Sequence, residues 1–141
     1  AGMDVALGAA LDEGERRWSR MQRLRDRLER GIVDSWPGAT VLGANAERLP
    51  HATCIAFPRG DRPSLVMAYD LAGVASSSGS ACASGSSEPS PTLLAMGLDK
   101  TLVAGAVRFG VGALTTEREI DQALQAIAGV NQRLCPDREA V

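Results

Sequence analysis

Apolar side chains recur every three or four residues near the start of the chain, and this spacing predicts a long amphipathic helix over about residues 9–31. The apolar stripe consists of Leu11, Trp18, Met21, Leu24 and Leu28. A second face carries five arginines: Arg16, Arg20, Arg23, Arg27 and Arg30. We interpret this basic face as a solvated surface, and a docking surface for an acidic partner is the alternative. Gly31 offers a stop for the helix.

Shorter apolar segments follow, and their patterns alternate between strand and helix. Strands are predicted at residues 39–42, 49–57, 74–76 and 106–111. Helices are predicted at residues 64–71 and 90–97, and a last helix begins at Thr116, which forms a capping box with Glu119. Short strands interleaved with helices predict an α/β fold of the α+β-like kind, in which helices flank one short, mostly antiparallel sheet.

The length and composition fit one globular domain. Of the 141 residues, 45% are hydrophobic and 23% are charged. We assign residues 1–135 to one domain and residues 136–141 to a disordered tail. The sequence contains no run of 18 apolar residues that predicts a membrane span, and its start shows no secretory signal. Because the first residue is Ala1 and not Met, we expect a fragment or a processed product.

Charge and cysteine usage argue against two further classes of function. The net charge of −2 offers no general attraction to nucleic acid. Three cysteines without a CxxC pair, together with the single histidine His51, argue against a disulfide framework and against a metal site. These features are typical of a protein in the reducing cytoplasm.

Segment 76–90 (SSSGSACASGSSEPS) is the most informative part of the sequence, because it places Cys82 among small residues. Gly79 and Gly85 give the backbone freedom on both sides of the thiol. Such a loop suits a cysteine nucleophile that moves between a substrate and an acceptor, with the thiolate as the reactive form. A mobile surface loop that merely carries a cysteine is an equally weighted alternative.

Arg108 is the second candidate, because it lies in an otherwise apolar strand between Val107 and Phe109. A guanidinium group recognises a carboxylate through two parallel hydrogen bonds. In this interpretation the side chain of Arg108 points into a semi-buried site. The residues alone slightly favour the alternative, which is a structural ion pair or a solvent-facing sheet surface.

Five ordered motifs lie between residues 74 and 121. They are 74–82 (VASSSGSAC), 88–90 (EPS), 94–98 (LAMGL), 107–110 (VRFG) and 115–121 (TTEREID). Together they closely resemble the C-terminal part of the cysteine desulfurases, which are pyridoxal-phosphate enzymes of the class V aminotransferase group. The long cysteine loop resembles the branch of that family that serves nitrogenase and general iron–sulfur assembly.

The resemblance implies an activity, a fold and roles for the two candidate residues. In this family L-cysteine is converted to L-alanine, and a loop cysteine takes up the sulfur as a persulfide. Cys82 would therefore be the nucleophile and persulfide carrier, and Arg108 would hold the substrate carboxylate. The implied partners are L-cysteine and sulfur-acceptor or iron–sulfur scaffold proteins, with a homodimer for the complete enzyme. The implied fold is the C-terminal domain of a fold-type-I pyridoxal-phosphate enzyme.

Pyridoxal phosphate, the cofactor of this family, requires binding residues for which this sequence shows no match. The family forms a Schiff base on a lysine, whereas Lys100, the only lysine beside fourteen arginines, follows the turn at Gly97. The resemblance places the cofactor-binding residues upstream of this chain, so we assign none here and expect the chain alone to be inactive. His51 does not match the family's ring-stacking histidine, and Cys54 is expected to be a buried core thiol. A non-catalytic sulfur-relay or scaffold-interaction domain is the alternative function.

Overall fold

The computed structural model describes residues 2–78 and 89–135, and within these ranges the chain forms five helices and three strands. In chain order the elements are α1 (Gly2–Ser35), β1 (Thr40–Val41), β2 (Ala52–Ala56), α2 (Arg62–Leu71), α3 (Pro91–Ala95), α4 (Lys100–Ala104), β3 (Ala106–Gly110) and α5 (Glu117–Leu134). The strands form one antiparallel sheet in the order β1-β2-β3. The predicted fold class, a short antiparallel sheet flanked by helices, is confirmed. The predicted tail at 136–141 and residues 79–88 of the predicted loop lie outside the described residues.

The sheet has one fully buried face and one more open face, because side chains alternate along each strand. Ile55, Val107 and Phe109 lie on the buried face, where they join the core formed with α1, α2 and α5. Cys54 and Arg108 lie opposite each other on the second face, since β2 and β3 pair in that register. The alternation around Arg108 therefore places its charge on the open face.

Helix α1 extends beyond the predicted range of 9–31 at both ends. Its C-terminal half is buried against the domain, as Leu24 and Leu28 show. Its N-terminal half is different, because Leu11 and Trp18 of the predicted apolar stripe are 76% and 60% exposed. The periodicity thus predicted the helix, but it did not indicate that only half of the stripe is covered. None of the described helices, α1 included, is long and apolar enough to cross a bilayer.

Gly31, which we predicted to stop the first helix, lies inside α1 at its contact with α5. A Cβ atom at this position would lie 2.5 Å from Leu124 Cδ1. The glycine therefore allows the two helices to approach closely. The helix continues past it because Ile32 and Trp36 extend the buried face by another turn.

Further along the chain, one local prediction was wrong, one helix was not predicted, and one prediction was confirmed. Residues 74–76 form no strand, and Ser77 instead makes a single antiparallel bridge with Arg108. Helix α4 was not predicted, because five residues carry little periodic signal. The capping box of α5 is confirmed: Thr116 N donates to Glu119 Oε2 over 2.7 Å, and Glu119 N donates to Thr116 Oγ1 over 3.3 Å.

We expect the substitution Gly105→Ala to lower the free energy of unfolding by about 3 kcal/mol, as a severe case of overpacking. Gly105 precedes β3, and its carbonyl accepts a hydrogen bond from Phe57 N over 3.0 Å. A Cβ atom on Gly105 would lie 2.1 Å from Phe57 O, a backbone atom that cannot move without disturbing the sheet. Urea unfolding followed by circular dichroism measures the change.

Gly129→Ala on α5 is the matched control for this prediction. A Cβ atom at Gly129 meets nothing within 4 Å. Alanine is favoured over glycine inside a helix, so this variant should be more stable by about 0.5–1 kcal/mol. Effects of the same sign for the two substitutions would contradict the close contact at Gly105.

Candidate functional site

Arg108 lies on β3 with its side chain exposed. Its backbone amide donates to Ser77 O over 2.8 Å, and Ser77 N donates to Arg108 O over 3.0 Å. In the side chain, Nε donates to Ser77 Oγ over 3.0 Å. Among the described residues the two terminal nitrogens make no hydrogen bond or ion pair, so they remain available for a carboxylate.

Arg108 forms part of the wall of an open cavity of about 510 Å³. The other polar side chains in this wall are His51, Ser76 and Ser77. The hydroxyl oxygen of Ser76 is itself buried and has no hydrogen-bond partner among the described residues, so it is not presented to the cavity. The semi-buried site that we predicted for Arg108 is therefore an open cavity. A guanidinium group with free terminal nitrogens in such a wall suits a small ligand that carries a carboxylate.

An ion-pair network on α1 fixes the part of this wall that Leu49 and His51 provide. Arg25 is only 6% exposed, and its Nη1 donates to Leu49 O over 2.9 Å. Glu29 accepts a hydrogen bond from Arg48 Nη1 over 2.6 Å. These contacts tie the segment before β2 to the helix and thereby shape the cavity. Sequence analysis missed this role, although the position of Arg25 outside the three- and four-residue arginine spacing was a usable signal.

Cys54 lies on β2 opposite Arg108 of the neighbouring strand β3. We predicted a buried core thiol, whereas the structure shows Cys54 half-buried. Burial raises the pKa of its thiol, and the positive charge of Arg108 partly opposes that rise. The thiol is therefore protonated at neutral pH, which makes Cys54 a poor nucleophile.

Cys82, the predicted nucleophile, lies outside the described residues. Along the chain it follows Ser77, the residue that bonds directly to Arg108.

Groups that hold a cofactor or a metal ion are missing beside Arg108 in the part of the chain that the structure describes. Lys100 is exposed at the first position of α4 and does not contribute to the wall of the Arg108 cavity. Pyridoxal phosphate requires a lysine for its Schiff base, so the described residues do not fit this cofactor by themselves. Within residues 2–78 and 89–135, no cluster of three or more His, Cys, Asp or Glu side chains is arranged for a metal ion.

Comparison with known proteins assigns the chain to a family. A family model for aminotransferase class-V matches residues 5–123. A cysteine desulfurase from Cereibacter sphaeroides is 44% identical over 131 residues, which are 93% of this chain and 32% of that protein. The cysteine desulfurase NifS of Azotobacter vinelandii is 38% identical over 133 residues, or 94% of this chain and 33% of that protein. The chain thus spans about a third of the length of these curated relatives.

Solved structures show the same fold. A NifS-like protein from Rickettsia africae superposes with a TM-score of 0.75 at 23% identity and covers 89% of this chain and 32% of its own. A second NifS-like protein gives a TM-score of 0.74 at 24% identity, with 87% and 30% covered. The relatives confirm the resemblance to cysteine desulfurases that the five motifs indicated. Because the family model matches well over half of its residues, the chain belongs to the aminotransferase class-V family.

Proposed function

We propose that this chain is the C-terminal part of a pyridoxal-phosphate-dependent cysteine desulfurase. The complete enzyme converts L-cysteine to L-alanine and retains the sulfur as a persulfide on Cys82, for iron–sulfur cluster assembly or other sulfur transfer. The observation that carries this proposal is the direct hydrogen bonding of Arg108 to Ser77, since it joins a carboxylate-binding cation to the start of the Cys82 segment. The relatives named cysteine desulfurase support the same function.

In this proposal Arg108 binds the carboxylate of L-cysteine. The hydrogen bond from Nε to Ser77 Oγ orients the guanidinium, and the terminal nitrogens then meet the two carboxylate oxygens. The cavity of about 510 Å³ has room for a free amino acid beside Arg108. His51 contributes a further polar side chain to the wall of the same cavity.

Cys82 receives the sulfur. Its thiolate forms a sulfur–sulfur bond to the substrate, the carbon–sulfur bond of L-cysteine breaks, and the carbon takes up a proton to become the methyl group of L-alanine. The sum of L-cysteine and a thiol equals L-alanine and a persulfide, so no external oxidant or reductant is needed. Burial raises the pKa of Cys54 and that of Cys135, which is only 2% exposed, so both are poor nucleophiles and Cys82 is left as the candidate.

Pyridoxal phosphate supplies an electron sink for the substrate when it is bound. We assign its binding to the part of a longer protein that this chain does not include, because the chain spans about a third of its relatives. The same proposal includes a homodimer, a cytoplasmic location and partner proteins that accept the sulfur. The chain alone is then inactive toward L-cysteine.

We expect a small persulfide donor, such as glutathione persulfide, to modify Cys82 about ten times faster than Cys54 or Cys135 at neutral pH. The raised pKa of the two other thiols leaves them protonated. Mass spectrometry of peptides after brief exposure measures the three rates, with Cys82→Ser as the control. Preferential modification of Cys54 or Cys135 would undo the assignment of Cys82.

In the protein expressed from its complete gene, Arg108→Gln should lower kcat/KM for L-cysteine by roughly 10- to 100-fold, mainly through KM. This is the expected effect of losing hydrogen bonds to a charged ligand. Ser77→Ala should have a smaller effect, about 2- to 10-fold, because it removes only the group that orients Arg108. Production of L-alanine measures both variants.

Arg133→Gln is the control for Arg108, because Arg133 lies in the last turn of α5 and bonds only to Gly129 O within the described residues. Its kinetics should match those of the unmodified enzyme. An unchanged KM in Arg108→Gln would contradict the proposed contact between Arg108 and the substrate carboxylate. A protein that accepts persulfide on Cys82 but forms no L-alanine would instead be a sulfur-relay domain.

Pyridoxal phosphate added to the 141-residue chain should give no saturable yellow adduct, because Lys100 is exposed and lies outside the Arg108 cavity. Absorbance titration of the chain and of its Lys100→Arg variant measures this directly. The two proteins should behave alike. A stable adduct that forms in the unmodified chain and disappears in Lys100→Arg would show that the chain holds the cofactor itself.

A further inference from the structure

Helix α1 carries a row of five arginines along one exposed face. The residues, spaced alternately by four and three positions, are Arg16, Arg20, Arg23, Arg27 and Arg30. This spacing keeps successive side chains on the same side of a continuous helix. The net charge of the whole chain is −2, so the positive charge is a local property of this face.

The row borders two concave surfaces that share Arg20. One, of about 380 Å³, is lined by Arg20, Arg23, Leu24, Asp26, Arg27, Arg30 and Glu117. The other, of about 680 Å³, is lined by Arg16, Arg17, Arg20, Ala113 and Leu114. We call the two together the arginine groove. Leu114 is 90% exposed and provides an apolar position at one end of it.

Two of the arginines hold the groove in shape. Arg20 Nη2 donates to Thr115 O over 3.0 Å, which ties α1 to the loop before α5. Arg27 donates to Asp121 Oδ1 on α5 through Nε over 3.0 Å and through Nη2 over 2.8 Å. Because these contacts tie α1 to the loop before α5 and to α5 itself, the shape of the groove does not depend on a bound ligand.

Much of the positive charge in the groove is not neutralised by the protein itself. Asp26 accepts hydrogen bonds of 2.7 and 3.0 Å from the buried Arg25, so its charge is already paired. Arg23 and Arg30 make no hydrogen bond or ion pair with any residue that the structure describes. Glu117 is then the carboxylate that faces them across the groove. An anionic ligand would find unpaired guanidinium groups here.

We propose that the arginine groove binds an acidic segment of a partner protein. Asp or Glu side chains of that segment pair with Arg16, Arg23 and Arg30, and an apolar side chain packs on Leu114. Guanidinium groups bind carboxylates with fixed geometry, and the groove is elongated, which suits a chain and not a single small anion. A long polyanion such as nucleic acid fits less well, because the overall charge of −2 repels it beyond the groove.

The groove is a surface separate from the Arg108 cavity, since the two have no lining residue in common. The proposal therefore stands independently of the activity proposed above. Failure of the desulfurase assay would leave it intact, and failure of the binding experiment below would leave the desulfurase proposal intact.

The test uses the purified protein and a short synthetic peptide. Arg16 to Arg30 span about 21 Å along α1, the length of about six extended residues. The probe is therefore a fluorescent peptide with about six Glu and Asp residues and one Leu, and its control has Gln and Asn in their place. Fluorescence anisotropy should show binding of the acidic peptide alone, and the binding should weaken as salt is added.

The double substitution Arg23→Gln and Arg30→Gln should weaken binding of the acidic peptide by roughly 5- to 30-fold, from the loss of two exposed ion pairs. The matched control is Lys100→Gln with Arg133→Gln, which removes the same charge outside the groove and should change Kd by less than about two-fold. Thermal unfolding checks that both variants are folded.

Three results would overturn the proposal. Equal weakening by the two double variants would show a general charge effect. Equal binding of the neutral peptide would show that the carboxylates of the acidic peptide are not recognised. Tighter binding of a single-stranded DNA oligonucleotide with the same number of charges would make the groove a nucleic-acid site.

Discussion

The antiparallel pairing of β2 with β3 determines where the candidate groups of this domain lie. In its register Ile55 faces Val107 on the buried side, and Cys54 faces Arg108 on the open side. A shift by one residue would bury the guanidinium and expose the apolar side chains. Each of these buried apolar side chains stabilises the fold by about 1.5–3 kcal/mol, so hydrophobic burial holds the charge of Arg108 in place.

The same pairing explains why Ser77 matters. On the edge of β3 that does not pair with β2, the backbone of Arg108 makes two hydrogen bonds with the backbone of Ser77. The segment that leads to Cys82 is thus attached to the sheet at Arg108, the proposed carboxylate-binding residue. In the proposed enzyme, substrate recognition and sulfur transfer both depend on this contact between two parts of the chain.

Sequence analysis succeeded where the signal lies within a few neighbouring residues, as in the capping box of Thr116 and the alternation around Arg108. It failed where a distant contact decides the structure. The local sequence around Gly31 predicts the end of a helix, yet in the structure its missing side chain leaves room for Leu124 of α5. Arg25 looks like one more surface arginine until its bond to Leu49 O is known. The open shape of the Arg108 cavity depends on such contacts, and for this reason it was not predicted.

Helix α1 shows why composition is a poor guide to charged surfaces. Arg23, Arg25 and Arg30 lie within two turns of one helix and have the same chemistry. Each residue advances about 100° around the helix axis, so Arg25 points toward the loop before β2 and donates to Leu49 O there. Asp26, beside it on α1, accepts its other hydrogen bonds. Arg23 and Arg30 point away from that loop, and no residue that the structure describes pairs with their guanidinium groups. The overall charge of −2 therefore coexists with a strongly basic groove, and packing decides which arginines stabilise the fold and which remain available for binding.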